Sequence, residues 1–230
     1  MKVLGAKLAI VFYDVTTLYF EAEEEDELRK KGFSKDGKHQ QPQILLGLLV
    51  SIGGYPLAYE IFEGNRFEGH TMLPVIESFK TKYKLDKLVI VADAGLLSNK
   101  NIELLKANKY ELILGARIKN ESNVIKEQIT QTALGDGQSV IIDKSDGTKL
   151  IISYSKAHAK KDAHNRERGL KKLEVELANG KLTKEHINNK GYNKYLKLEG
   201  SVTVTIDYNK YKKDAIWDGL KGYMTNTELS

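Results

Sequence analysis

Leu8-Ala9-Ile10-Val11-Phe12-Tyr13 (LAIVFY) runs directly into Asp14, and Lys87-Leu88-Val89-Ile90-Val91-Ala92 (KLVIVA) runs directly into Asp93. Both runs are apolar and rich in β-branched or aromatic residues, which predicts buried strands. The near-continuous apolarity of KLVIVA is the pattern of a strand covered on both faces. Two strands that each end in aspartate would set two carboxylates at the end of a sheet, where open α/β sheets tend to place ligands. A lone aspartate at a strand end is ordinarily a turn residue, so the pairing is suggestive and the surrounding sequence has to decide.

Outward from these runs the pattern alternates. Glu21 to Gln41 is dominated by charge and predicts an exposed loop with a short helix. Gln43 to Ser51 and Leu57 to Phe62 flank Gly53-Gly54-Tyr55-Pro56, a strong turn signal, and predict a β-hairpin. Thr71 to Tyr83 spaces Met72, Val75, Ile76, Phe79 and Tyr83 at helical intervals, with Pro74 early enough to be tolerated. Ser98 is a suitable cap for a helix through Asn108, and Glu111 to Ala116 reads as another buried strand. The order strand, hairpin, helix, strand, helix, strand predicts a mixed α/β sheet with helices packed on its faces.

After Arg117 the texture changes. Short strand candidates appear at Ser139 to Asp143, Lys149 to Tyr154 and Val202 to Tyr208, with turns at Gly135-Asp136-Gly137 and Asp146-Gly147. Between them Ala157 to Asn179 is highly charged and helical, with Leu170, Leu173 and Leu177 as a narrow apolar stripe and Asn179-Gly180 as its stop. The expected organisation is a core over residues 1–116 and a β-rich segment over 117–230.

The 230-residue length allows one large domain or two small ones, and 3 prolines argue against long disordered linkers. There is no cysteine, which excludes disulfides and thiolate metal sites and leaves oxygen or imidazole ligands for any cation. No apolar run is long enough for a membrane span, and Met1 to Ala6 lacks a secretory apolar stretch, so a cytoplasmic location and no membrane partner are expected. The net charge is +5, and its surplus lies late in the chain. From Arg117 onward there are 21 Lys+Arg against 15 Asp+Glu, whereas residues 1–116 hold 15 against 16. A basic second half suits a polyanionic partner.

The segments YDVTTLYFE (Tyr13 to Glu21), EGNRFEGHTM (Glu63 to Met72) and VADAGLLS (Val91 to Ser98) resemble the signature blocks of DDE transposases of bacterial insertion sequences, the insertion-sequence-four superfamily most of all. The resemblance covers nearly the whole chain. It implies a ribonuclease-H-like core, with the first catalytic Asp on the first strand and the second at the fourth. It also implies a β-rich insertion after the fifth strand. Asp14 and Asp93 match the two aspartates in order and would hold Mg²⁺ or Mn²⁺, hard cations that carboxylate oxygens suit. Such ions activate water for DNA cleavage and then a 3′-hydroxyl for strand transfer. The implied partners are double-stranded DNA, as transposon ends and target, and further copies of the chain in a synaptic complex.

The family's third acid is a Glu within the pattern Tyr, two residues, Arg, three residues, Glu, six residues, Lys. None of the 12 tyrosines here has Arg at the third following position. The expectation is therefore that the third acid and the final core helix are absent, and that this chain is inactive on its own. The rival readings are a non-catalytic DNA-binding or assembly fragment and a nuclease with the same core.

Among the remaining candidates, Lys160, Lys161, Arg166, Arg168 and Lys171, with His164 and Lys172, could line a DNA backbone. Asp162, Glu167, Glu174 and Glu176 in the same stretch make a solvated face an equal reading. His70 is read as structural, and the five histidines show no metal-binding spacing. The acidic run Glu23 to Glu27 is read as a solvated loop, since consecutive like charges repel.

Overall fold

The computed structural model describes residues 8–85, 87–93, 99–200 and 203–228. In chain order the elements are β1 (Leu8–Tyr19), β2 (Gln43–Ser51), β3 (Pro56–Glu63), α1 (Met72–Tyr83), β4 (Lys87–Ala92), α2 (Asn99–Ala107), β5 (Glu111–Ala116) and α3 (Asn123–Gln131). They continue with β6 (Ser139–Asp143), β7 (Lys149–Tyr154), α4 (Lys156–Ala178), β8 (Leu196–Glu199), β9 (Thr203–Ile206), α5 (Tyr208–Asp214) and β10 (Leu220–Thr225). Eight strands hydrogen-bond in the order β3-β2-β1-β4-β5-β10-β7-β6, and β8 and β9 form a separate pair. The fold is mixed α/β. Two compact units divide the chain: Met1–Arg117 with Asp143–Leu150 and Tyr223–Ser230, and Ile118–Ile142 with Ile151–Gly222.

In the first unit β1 does not stop at Asp14. Val15 to Tyr19 keeps the β-branched and aromatic character of the run before it, and the strand continues by pairing antiparallel with β2, from Val11 opposite Ser51 to Tyr19 opposite Gln43. β4 lies parallel on the other side of β1, and β5 lies parallel to β4. The hairpin between β2 and β3 turns through Gly54, whose φ of +80° is one that glycine adopts without steric cost.

Period-two alternation separates the two faces of β1. Val11 and Tyr13 are buried in a cluster with Leu45, Leu49, Ile90 and Leu112, against Val75, Ile76 and Phe79 of α1 and Leu105 of α2. Phe12 and Leu18, on the opposite face, are each 43% exposed. β1 is thus buried on one face, and α1 and α2 both pack against the cluster there. In β4, by contrast, Leu88, Val89 and Ile90 are all buried, covering both faces as the continuous apolar run predicts.

The charged stretch after β1 contains no helix among the described residues. A β-bridge from Lys30 to Gln43 holds it instead. The Gln43 side-chain amide also donates to the carbonyls of Phe33, at 3.2 Å, and Gly64, at 2.7 Å. A Cβ on Gly64 would lie 2.0 Å from the Gln43 carbonyl oxygen, so this approach requires glycine.

The second unit combines a long helix with short strands. Its helix α4 alone runs 23 residues, whereas β8 and β9 are four residues each. Ser155 caps α4 by accepting from the His158 amide. Leu173 is buried with Tyr195, Leu196, Val204 and Ile206, and Leu170 and Leu177 pack alongside, so the narrow leucine stripe is the buried face of the helix. Gly169 lets Tyr192 approach: a Cβ there would sit 2.1 Å from the ring.

Candidate functional site

β1 and β4 run parallel, and their register ends with Tyr13 opposite Ala92. Asp14 is the next residue of β1, and Asp93 is the residue that follows the end of β4. Both aspartates are exposed. Asp14 accepts a local hydrogen bond from the Val15 amide at 2.9 Å. Asp14 emerges from the middle of β1 rather than its end, on the face that carries Phe12 and Leu18. Carboxylates supply hard oxygen ligands that fit Mg²⁺ or Mn²⁺. Among the described residues no group of three or more His, Asp or Glu side chains converges as a metal cage would need. Ala94 to Ser98, the rest of the block that follows Asp93 and the expected cap of α2, lie outside the described residues.

Behind Asp14 the sheet is locked by a buried polar contact. The Tyr13 hydroxyl donates to Thr71 Oγ1 at 2.7 Å, and Thr71 in turn donates to the Glu68 carbonyl at 2.6 Å. Burial pushes the Tyr13 phenol up to about 12, against the lowering effect of the Thr71 bond. Gly47 makes room for it, because a Cβ there would lie 2.6 Å from the Tyr13 hydroxyl oxygen. The block around Asp14 and the block containing Thr71 are thereby joined physically. The signal in sequence was only a tyrosine inside an apolar run and a threonine just ahead of a helix, neither of which announces a partner.

Other residues of the blocks sit at the surface. Arg66 lies over the Phe62 ring, 4.7 Å from its centroid, and donates to the His70 carbonyl at 3.3 Å. The His70 ring meets Phe67 edge-on at 5.4 Å. In the acidic loop Asp26 accepts from the amides of Arg29 and Leu28 and from the Arg29 side chain, which hold its carboxyl down at about 2. Its neighbours Glu23 to Glu27 are exposed and form no metal-ligating group among the described residues.

The cations of α4 separate into two sets. Lys160, Lys161, His164, Arg168, Lys171 and Lys172 are exposed. Arg166 is turned inward: its side chain is 14% exposed, it is hydrogen-bonded to Asp218, and it lies 5.5 Å from the centre of the Tyr211 ring. That bond to Asp218 raises the Arg166 guanidinium above its usual value. Arg166 therefore does not share the face of the other four cations with which the sequence groups it.

Arg166 lines a cleft of about 540 Å³ in the second unit, with Lys119, Lys194, Asp162, Asp214 and Asp218. Lys119, Lys194 and the Tyr195 hydroxyl all donate to Asp214. Burial would raise the Asp214 carboxyl, but these three bonds outweigh it and hold the group well below the carboxylate range. Asp162 accepts from the Gly219 amide at 3.0 Å. Cations and carboxylates balance one for one here, so the cleft carries no surplus charge to recruit an anion. It is a structural knot.

No family model and no curated protein matches the chain. Among solved structures, the cryo-EM structure of a piggyBac transposase synaptic complex with hairpin DNA aligns with a TM-score of 0.41 at 12% identity. The alignment covers 65% of this chain and 31% of that one, so this chain spans about a third of its length. No helix among the described residues is long and apolar enough to cross a membrane.

Proposed function

We propose that this chain is a transposase-type DNA-processing domain in which Asp14 and Asp93 together hold a divalent cation, Mg²⁺ or Mn²⁺. The observation that supports the reading is the parallel register of β1 and β4, which sets Tyr13 opposite Ala92, the residues immediately before the two aspartates. The three sequence blocks support it, because two of them contain these aspartates and the third is tied to the first through Tyr13 and Thr71. Bound there, the cation would polarise a phosphodiester oxygen and lower the pKa of an attacking hydroxyl. The residues of this chain supply the oxygen ligands and fix their spacing through the sheet. In this reading the substrate is double-stranded DNA and the core is ribonuclease-H-like, in the manner of insertion-sequence transposases that work as oligomers on paired DNA ends.

The second reading is a metal- and DNA-binding module without catalysis. It is favoured by the absence, among the described residues, of a third acid beside the two aspartates. Mn²⁺ titration of the wild type, Asp14→Asn and Asp93→Asn, followed by a nicking assay on duplex DNA, tests both. Weaker Mn²⁺ binding in each variant is the expected result, and equal binding in all three proteins would sink the assignment. Asp14-dependent nicking would select the catalytic reading, and metal binding without nicking the module.

A further inference from the structure

The exposed side of α4 is a one-sided basic surface. At about 100° per residue, Lys160, Lys161, His164, Arg168, Lys171 and Lys172 all fall within about 60° of one direction around the helix, whereas the four carboxylates lie about 80° or more away. Those carboxylates have other engagements. Asp162 accepts from the Gly219 amide and Glu174 from the Tyr208 hydroxyl. Glu167 and Glu176 flank the stripe and pair with Lys171, at 2.9 Å, and Lys172, at 3.8 Å. Lys160, Lys161 and Arg168 form no ion pair among the described residues. A merely solvated helix would intersperse its signs to satisfy itself. Here the fold has sorted them.

We infer that this stripe is a docking surface for the phosphate backbone of duplex DNA. From Lys160 to Lys172 the helix advances about 18 Å, at 1.5 Å per residue, which matches roughly five phosphates of one strand at 3.4 Å of rise each. The leucine side of α4 is consumed by the core of the second unit, and Val175 is the one large exposed apolar side chain of the helix, so a lipid surface would gain almost no apolar insertion. Contacts of such cations to phosphate carry no sequence information, so docking on the backbone is expected to be independent of DNA sequence. The inference deepens the DNA-processing reading by assigning its partner a surface, yet it stands on α4 alone and needs no metal.

The test measures the full chain against a 20-base-pair duplex by fluorescence anisotropy, in EDTA, as a function of salt. The triple variant Lys160→Ala, Lys161→Ala, Arg168→Ala should flatten the slope of log affinity against log salt by about 2 to 3, at roughly 0.9 for each phosphate no longer neutralised. The control Lys184→Ala, Lys190→Ala, Lys197→Ala removes equal charge from exposed positions of the same unit, off α4. It should leave most of the slope in place, and a duplex of scrambled sequence should bind equally. Equal flattening by both triple variants would overturn the assignment to α4. So would absence of DNA binding by the wild type, or tighter binding to anionic phosphatidylserine vesicles than to DNA. Because the measurement is made in EDTA, failure of the metal site leaves this result readable, and the reverse.

Discussion

The two compact units are held by different forces. In the first, a large cluster around Leu49, Ile76, Ile90 and Leu112 is almost wholly apolar, and its conspicuous internal polar contact is the Tyr13–Thr71 bond. In the second, the apolar cluster is small, built on Leu173 and the β8–β9 pair, and the elements beside it meet through Asp214 and its three donors and through Arg166, Asp218 and Tyr211. Apolar packing depends on volume and hardly on pH, whereas a network hung on one carboxylate depends on its ionisation. The same chain should therefore show one unit sensitive to cavities and another sensitive to acid.

The largest effect expected is from Ile90→Ala, which removes a fully buried side chain from β4. Urea unfolding should show a loss of about 4 kcal/mol, the transfer loss plus the cavity left behind. A cost below that of the polar substitutions would break the contrast between the units.

Asp214→Asn should cost about 2 kcal/mol, since it removes a charged acceptor from three donors, two of them lysines that remain partly hydrated. The sign with pH follows from the lowered carboxyl. Its contribution is complete above the unfolded value near 4 and is lost as the pH falls through the depressed folded value. The gap between wild type and Asp214→Asn, read by thermal melting, should thus hold from pH 7 to about 4 and close below. A gap that stays constant into stronger acid would show that packing, not ionisation, sets the cost.

Tyr13→Phe is the smallest, at about 1 kcal/mol, because Thr71 keeps its bond to the Glu68 carbonyl. The raised phenol gives stability that is full below pH 10 and lost as the pH rises toward about 12. The variant should lose less stability than the wild type over that interval, as alkaline unfolding curves would show. An identical alkaline loss in both proteins would mean that the buried hydroxyl does not titrate with unfolding.

The elements legible in the sequence were those whose periodicity is local. The strand Lys87 to Ala92, the hairpin about Gly53-Gly54, and the helices on either side of β4 stand where the residue patterns place them, to within a residue or two. β10 and α3 are not among the elements that the residue patterns predict. LKGYMT alternates too weakly to announce a strand, and it is held by contacts more than a hundred residues away: Thr225 donates to the Leu112 carbonyl, and the Leu112 amide to Asn226. Chain separation of that size leaves no periodic trace. Glu21 to Gln41 is a loop as expected but without its short helix among the described residues, and Gln43 ties it into the fold through the bridge to Lys30.

Sequence alone determined which residues could carry chemistry: two aspartates behind apolar runs, no thiols, and a basic helix. These follow from composition and from the two short periods of helix and strand. Only the tertiary structure decided which of them meet. Register between two strands far apart in the chain sets Tyr13 opposite Ala92, the residues before Asp14 and Asp93, a matter of pairing that neither strand encodes by itself. Rotation about one helix axis turns Arg166 into the fold toward Asp218 and leaves Lys160, Lys161 and Arg168 facing solvent, because the leucines beside them claim the opposite side for the core.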